Sequence, residues 1–487
     1  MAFSRSSSTS DPALPEKIGD GKRDESVVHT GFEGRVDEEH QGEELVDGVF
    51  GEQGKGTVDY RSVGWVSTSV LLMKSQIGLG VLAIPSVFHS LGMIPGIICL
   101  IVIGALTTCV EPSSWTDFYI GMFKLKHPTV YSVADCGMIM FGPVGREIFG
   151  VGYWLLMTCI AGSALLGIST ALNAMSLHAT CTAVFVAVAA AVTLPFASMR
   201  TMGDIRWIGW VGLVSMIVSI MLVTIAVAVG GRPSLAPQTG PWDKDLVLWG
   251  NPTFAEAMNA ISNLVFSYAG TSAFLPIASE MRNQRDYPKA VVLCQSFVTI
   301  FYLVVGIVVY FYAGQYVASP ALGTAGVLIK RVAYGLALPG LFAAAIIYSH
   351  LPAKWIFVRV LRGSRHLTHP TKTHWVAWLS CTLGCVLFSY VIASAIPVFG
   401  GLVGLVGALF GTLVTLQAEA CMWFYDCWRT QKRTLSFWLL VGLNAFIFWI
   451  GNFIMVGGTY GSIVSIKNDY AANGGRPWTC VDNSGSV

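Results

Sequence analysis

The stretch Leu72-Met73-Lys74-Ser75-Gln76-Ile77-Gly78-Leu79-Gly80-Val81, followed by Pro85, interrupts a long apolar segment near its middle. A second stretch, Leu264-Val265-Phe266-Ser267-Tyr268-Ala269-Gly270-Thr271, followed by Pro276, interrupts another. Gly78 and Gly270 lie 192 residues apart, with four apolar segments between them. A lone Gly-x-Gly is ordinary in membrane helices. Here the first segment is long enough for two half-helices, a proline follows that removes a backbone donor, and the second segment repeats the arrangement. Interrupted helices at corresponding places in two chain halves mark the binding site of an inverted-repeat secondary transporter.

Composition agrees with a bilayer. The 487 residues are 54% hydrophobic and 12% charged, against about 25% charged in soluble domains. A stretch of about 20 apolar residues crosses a hydrocarbon core. Eleven such stretches, spans 1–11, cover residues 62–91, 93–118, 144–171, 181–197, 205–229, 253–280, 290–313, 336–358, 375–396, 398–423 and 435–458. Sixteen Lys and Arg fall in the loops of one side and six in those of the other. The positive-inside rule then puts the N-terminus in the cytosol, and an odd number of spans puts the C-terminus outside.

The first 61 residues hold 14 of the 28 acidic residues but 7 of the 30 basic ones, so they carry −7 and the remainder +9. Nothing in this split offers a face to nucleic acid. The tail is rich in Ser, Gly, Asp and Glu, cannot bury enough apolar surface to offset its ordering entropy, and reads as disordered. It has no apolar core of a cleaved signal peptide. Gly51-Glu52-Gln53-Gly54-Lys55-Gly56-Thr57 has the wrong spacing for a phosphate loop, and no strand is expected beside it. The 11 cysteines show no zinc-type pairing. Cys480, in the polar terminal segment, and Cys181, at an outer helix end, form a candidate disulfide. The expected organisation is a disordered cytosolic tail (1–61), an eleven-helix domain (62–461) and a short extracellular or lumenal C-terminus (462–487). Within the domain, 62–230 and 253–423 are the two repeats and 435–458 the extra helix.

Unwound backbone at membrane depth is tolerated only where it is buried or lines a cavity. The outer half of span 1 begins near Val81, and its free N–H groups and positive dipole end suit a carboxylate. The inner half ends near Gln76, and the outer half of span 6 ends near Ser267; their free carbonyls suit an ammonium group or a cation. The zwitterion of an amino acid satisfies both sets. The candidate substrate-binding residues are Gln76, Ile77, Gly78, Leu79 and Gly80 with Phe266, Ser267, Tyr268, Ala269, Gly270 and Thr271. No carboxylate lies between 74 and 85 or between 266 and 276, and a buried cationic side chain would need a paired acid. Lys74 repels cations, Ala269 and Gly270 leave room, and Phe266 and Tyr268 offer aromatic faces. Neutral substrates with sizeable apolar or aromatic side chains are expected.

Lys74-Ser75-Gln76-Ile77-Gly78-Leu79-Gly80-Val81-Leu82-Ala83-Ile84-Pro85 resembles the span 1 signature of the amino acid/auxin permease family, within the amino acid/polyamine/organocation superfamily. Ser267-Tyr268-Ala269-Gly270 through Glu280-Met281 resembles its span 6. Tyr131-Ser132-Val133-Ala134-Asp135 through Phe141-Gly142-Pro143-Val144-Gly145-Arg146 resembles the loop before its span 3. The similarity covers about residues 61–461 and points to the filamentous-fungal neutral amino-acid permeases of the methyltryptophan-resistance type. It implies an all-α polytopic membrane protein with a LeuT-type five-plus-five inverted repeat, an eleventh transmembrane helix, and spans 1 and 6 discontinuous. It also implies symport with the proton as coupling ion and neither cofactor nor metal. In relatives that use sodium, this part of span 1 borders a sodium site formed with span 8. The Lys74 ammonium is a candidate to stand in for that ion, and Ser349 and His350 on span 8 are further coupling candidates, since a histidine titrates near pH 6.5. Glu280, among Arg282 and Arg285, reads as an inner-gate ion pair. His366, His369 and His374 read as a solvated basic loop, and the glycines at 400, 404, 407 and 411 as a close helix contact.

The expected function is proton-coupled symport of neutral amino acids across the plasma membrane. The partners are the amino-acid substrate and the lipid bilayer. Lys17 and Lys22 in the tail are candidate sites for ubiquitin or trafficking machinery. The vacuolar membrane is the alternative location, and an amino-acid sensor signalling through its tail is the alternative role. An intramembrane enzyme would need converging nucleophile, base or metal groups, which the spans do not offer.

Overall fold

The computed structural model describes residues 45–47, 51–53, 63–107, 119–230, 232–367, 369–473 and 477–484. The expected disorder over 1–61 concerns positions that lie, for the most part, outside the described residues. The exception is an antiparallel hairpin of β1 (Leu45–Asp47) and β2 (Gly51–Gln53). The sequence reading expects no strand there, yet β2 takes up the start of the glycine-rich stretch.

From residue 63 on, the elements are helices. Span 1 is α1 (Trp65–Gln76) and α2 (Ile84–Leu91), separated by an extended Ile77 and a 3-10 turn at Gly80–Leu82. Span 2 is α3 (Met93–Leu106), and a loop helix, α4 (Tyr119–Lys126), follows. Spans 3, 4 and 5 are α5 (Val133–Ser176), α6 (Thr182–Ala197) and α7 (Met202–Gly230). Span 6 is α8 (Phe254–Tyr268), a 3-10 stretch at Ala269–Ala273, and α9 (Phe274–Ser279). Spans 7, 8 and 9 are α10 (Tyr287–Ala313), α11 (Val327–Leu361) and α12 (Lys372–Ala395). Span 10 is α13 (Phe399–Val406) and α14 (Ala418–Thr430), joined by wide π-helical turns at Gly407–Gly411 and Leu413–Gln417. Span 11 is α15 (Leu435–Asn473), which runs well past its expected end at 458. Among the described residues, nine helical stretches are long and apolar enough to cross a membrane, and α3 and α6 are shorter apolar helices.

Local sequence sets these ends. Pro85 sits in the first turn of α2, where a missing N–H breaks no helical bond. Thr253 and Glu256 cap α8 reciprocally, with Glu256 Oε2 accepting from the Thr253 N–H at 2.9 Å. Asp135 Oδ2 accepts from the N–H groups of Tyr131 and Ser132 and so fixes the start of α5. Further along α5, Gly142 has φ +69°, a backbone conformation that favours glycine, and with Pro143 it kinks the helix.

The helices sort into two groups. In one, α1 packs on α10, and α2 and α3 pack on each other, on α8 and on α10. In the other, α5, α6, α11 and α12 pack mutually, and α7 lies between, against α1, α10 and α11. Span 10 lies on span 6 through its glycines: a Cβ at Gly404 would meet Asn259 Oδ1 at 2.3 Å, and one at Gly407 would meet the Ser262 carbonyl at 2.3 Å. The peripheral α15 keeps Leu439, Trp449 and Val456 exposed, as a face toward lipid requires. His374, expected in a solvated loop, is instead buried in the first turn of α12, with its ring edge-on to Phe357.

The C-terminal segment 477–484 straps the second group. Cys480 is bonded to Cys181, at the start of α6. The Trp478 N–H donates to Ser394 O at the end of α12 (2.8 Å), and Thr182 Oγ1 donates to Val481 O (2.7 Å). Asn483 bonds to Ser169 (3.1 Å) and Asn173 (2.8 Å) on α5, and Lys330 of α11 donates to Ser484 O at 2.6 Å. All four helices of the group are held by eight residues. Cys480→Ser is expected to lower stability by about 2–4 kcal/mol, read as a lower melting temperature in detergent. Maleimide labelling of this cysteine pair should require prior reduction; labelling without reduction would refute the strap.

Candidate functional site

The two breaks cross backbone to backbone. A Cβ at Gly80 would lie 2.4 Å from Ser267 Cα, and a Cβ at Gly270 would lie 2.3 Å from Ser75 O. Each break therefore places a glycine on a serine of the other, and only glycine permits that approach. Ser75 Oγ also reaches Gly270 O at 3.2 Å.

Three successive carbonyls at the end of α1 are each met by a side-chain donor. Tyr348 of α11 donates to Ser75 O. Tyr302 of α10 donates to Gln76 O at 2.7 Å, and its hydroxyl is also 3.0 Å from Ser267 O. Lys74 Nζ donates to Ile77 O at 3.2 Å. The two carbonyls that the sequence assigns to an ammonium group, those of Gln76 and Ser267, thus face Tyr302 on span 7. The amides behave differently: the N–H groups of Gly78 and Leu79 donate to no acceptor among the described residues. Donors without partners beside a 3-10 turn suit an incoming carboxylate.

A narrow pocket opens beside the crossing. Of the eleven predicted substrate residues, Gln76, Gly78, Leu79, Gly80, Phe266 and Gly270 line it, together with Lys74. The other five do not. Ile77 is buried in the core, Ser267 Oγ bonds back to Asn263 O, and Thr271 Oγ1 to Tyr268 O. Ala269 faces Gly411 of span 10. Tyr268 turns to Gly104 of α3, where a Cβ would stand 2.8 Å from its ring, and its hydroxyl is 3.5 Å from Thr299.

Sequence reasoning missed Ser75, Ile160 of α5, and Ala344 and Tyr348 of α11, which complete the lining. Ile160 and Ala344 carry no signal. Tyr348 and Tyr302 do, because a phenol in the middle of a span must find a hydrogen-bond partner. No carboxylate among the described residues lines the pocket, and its one basic side chain, Lys74, is 1% exposed and pairs with no acid among the described residues.

The coupling candidates do not converge. Tyr348 faces the break, and position 350 is about 200° further round the helix. Accordingly His350 Nδ1 lies 3.3 Å from Ala197 O, its ring is edge-on to Trp378, and Nε2 has no partner among the described residues. Ser349 is buried between these two faces. Lys74 alone of the three lines the pocket.

Glu280 does form an ion pair, but with Lys354 of α11 at 2.6 Å and not with Arg282 or Arg285. Both groups are withdrawn from water. Around them the start of span 1 is stitched to the end of span 6: Val63 N–H donates to Glu280 O at 3.2 Å, and Arg282 N–H to Val63 O at 2.9 Å.

Gly80→Ala should abolish function, since its Cβ meets rigid backbone and overpacking of this kind costs about 1–3 kcal/mol or more. Gly78→Ala should express and fold, because the nearest atom to its Cβ is Lys74 Nζ at 3.4 Å, and should act by narrowing the pocket, raising KM for uptake. Equal loss of expression in both variants would contradict the crossing. Glu280→Ala should destabilise by about 3–5 kcal/mol, because it removes the carboxylate that faces the buried Lys354 ammonium at 2.6 Å. The double variant with Lys354→Ala should regain part of that loss in thermal unfolding.

Residues 61–464 match the family model described as transmembrane amino acid transporter protein. A transmembrane transporter of Gibberella moniliformis is 33% identical over 473 residues, covering 97% of this chain and 98% of its own length. The N amino acid transport system protein of Neurospora crassa is 31% identical over 464 residues, covering 91% of this chain and 95% of its own. Among solved structures, a Na+-coupled sialic acid symporter is similar with a TM-score of 0.51 at 15% identity, over 84% of this chain and 92% of its own. That likeness shows the fold, which is of LeuT type.

Proposed function

We propose that this chain, which belongs to the transmembrane amino acid transporter family, is a proton-coupled symporter of neutral amino acids with large apolar or aromatic side chains. The observation that carries the reading is the pocket at the crossing. It offers two amide donors without partners, at Gly78 and Leu79, and a buried ammonium, Lys74, with no carboxylate in its wall. The substrate carboxylate is taken by those amides at the start of the outer half of span 1. Its side chain lies toward Phe266, Ile160 and Ala344.

A cationic side chain in this pocket would face Lys74 without a compensating acid, and burying an unpaired charge is strongly unfavourable. Lys74 holds the Ile77 carbonyl at the break through its Nζ and so keeps a basic group beside the site of the substrate carboxylate. The proposed location is the plasma membrane, with the N-terminus cytosolic and the C-terminus outside. The Cys181–Cys480 bond supports that orientation, because structural disulfides persist in oxidising compartments.

Competition uptake with all twenty amino acids across an imposed pH gradient tests the reading. Leucine, phenylalanine and tryptophan should compete strongly, and arginine and lysine at least about tenfold less well. External acidity should drive accumulation. Inhibition of leucine uptake by arginine as effective as that by phenylalanine would defeat the assignment of the pocket.

A further inference from the structure

Among the described residues three carboxyl side chains are buried: Glu280, Glu419 and Asp426. Two have cations. Glu280 is paired with Lys354. Asp426 lies 3.4 Å from Lys126 and 3.2 Å from His127. Glu419, 4% exposed, has neither an ion pair nor a hydrogen bond among the described residues.

Its place in the fold is unusual too. Glu419 stands in the first turn of α14, directly after the two π-helical turns of span 10. Such widened turns recur at functional sites. They also touch the break of span 6: a Cβ on Gly411 would stand 3.7 Å from that of Ala269. The groups around the carboxyl are few. Tyr287, at the start of α10, is buried, its hydroxyl has no partner among the described residues, and it lies near enough to Glu419 to feel its charge.

The charges on the neighbouring elements are engaged elsewhere. On α4, Lys124 donates to the carbonyls of Pro128 and Val130, and Lys126 pairs with Asp426. On α5, Asp135 is held by Arg362, with Cys136 beside it. On α14 itself stand Cys421, Tyr425, Asp426 and Cys427, and α15 has no charged residue before Lys467. An ionised carboxylate withdrawn from water without a cation costs several kcal/mol, and intramembrane ionisable groups mark proton relays. A bound proton removes that cost without any rearrangement of side chains.

We propose that Glu419 is the carboxyl that carries the proton in the transport cycle. Its O–H bond forms with a proton taken from water when the substrate is loaded. That bond breaks, returning the proton to water, when the end of the molecule around α4, α9 and Tyr287 hydrates. The wide turns of span 10 connect it to the break where the substrate sits. The proposal rests on the proton-coupled reading above and assigns the coupling to span 10, away from Lys74 and His350.

The test uses the purified full chain in proteoliposomes and two readouts for labelled phenylalanine: accumulation driven by an inward pH gradient, and exchange at equal pH on both sides. Glu419→Gln should keep exchange within about twofold while gradient-driven accumulation falls about tenfold or more. Glu419→Asp should keep gradient-driven accumulation with a displaced pH profile, which establishes that the fold tolerates a change at this position. Parental accumulation in Glu419→Gln would overturn the proposal and leave the transport reading standing. So would equal loss of exchange and accumulation beside a functional Glu419→Asp. A parental protein that exchanges phenylalanine but never accumulates it under a pH gradient would overturn proton coupling itself, and this proposal with it.

Discussion

Everything at the centre of this molecule depends on two backbones passing within contact distance at Gly80–Ser267 and Gly270–Ser75. Neither contact leaves room for a Cβ. The approach requires both helices to stop, since intact helices carry side chains all round and keep their axes about 8–10 Å apart. Stopping them frees peptide groups inside the membrane, where an unsatisfied group costs several kcal/mol. The fold answers with tyrosines: Tyr302 for the carbonyls of Gln76 and Ser267, Tyr348 for that of Ser75. Lys74 does the same for Ile77. What stays without a partner among the described residues is the amide side of the break, at Gly78 and Leu79. The capping is therefore one-sided, and on the proposed reading that asymmetry is what favours a carboxylate.

The same contacts show how the two helix groups are joined. Tyr302 belongs to the group of the broken helices and ties the breaks to each other, so spans 1, 6 and 7 form a unit at this level. The strap 477–484 ties α5, α6, α11 and α12 at their shared end. Between the groups, two of the polar links come from one helix: α11 supplies Tyr348 to Ser75 and Lys354 to Glu280. They are six residues apart, about 9 Å along the axis. Relative movement of the groups must break one or both. The upper link is a single hydrogen bond beside the pocket, and the lower is a buried ion pair whose rupture is affordable only if water enters as it opens.

Much of this was legible in the sequence because it is written in residue types that have few other uses. Glycine, proline and a long apolar run suffice to place both breaks, and the structure puts six of the eleven named residues on the pocket wall. The misses have physical causes. Tyr268 looks like a pocket aromatic by position, but Gly104 on α3 leaves a space that its ring fills, and no pattern within span 6 reveals a hole in span 2. His350 looks like a coupling group by type, but helical phase turns it from the break. Glu280 was recognisable as a pairing group, while its partner was sought in the adjacent loop; Lys354 is distant in sequence and reaches it only through the packing of α11. Tyr302 and Tyr348 each signal a hydrogen bond within a span, but their acceptors are not legible until the location of the free carbonyls is known. The C-terminal strap was weighed as a single candidate disulfide, since hydrogen bonds from Asn483 and Lys330 depend on how four helix ends are arranged.

The distribution of charge ties these features to specificity. Lys74 is buried at the break beside two free amides, so the local field there is positive from three sources: the ammonium, the N–H groups and the dipole end of the outer half-helix. The buried carboxyls lie elsewhere, at Glu280, Glu419 and Asp426, and none lines the pocket. On the proposed reading, a ligand entering this field is stabilised through its carboxylate and repelled through any additional positive charge. On that reading its ammonium is satisfied by hydrogen bonding alone, and the Ser75 carbonyl that Tyr348 holds belongs to a residue of the pocket wall. The substrate ammonium and the Tyr348 hydroxyl would thus compete for the same acceptor at Ser75. On the proposed reading, that competition is what connects occupancy of the pocket to the upper joint between the two helix groups.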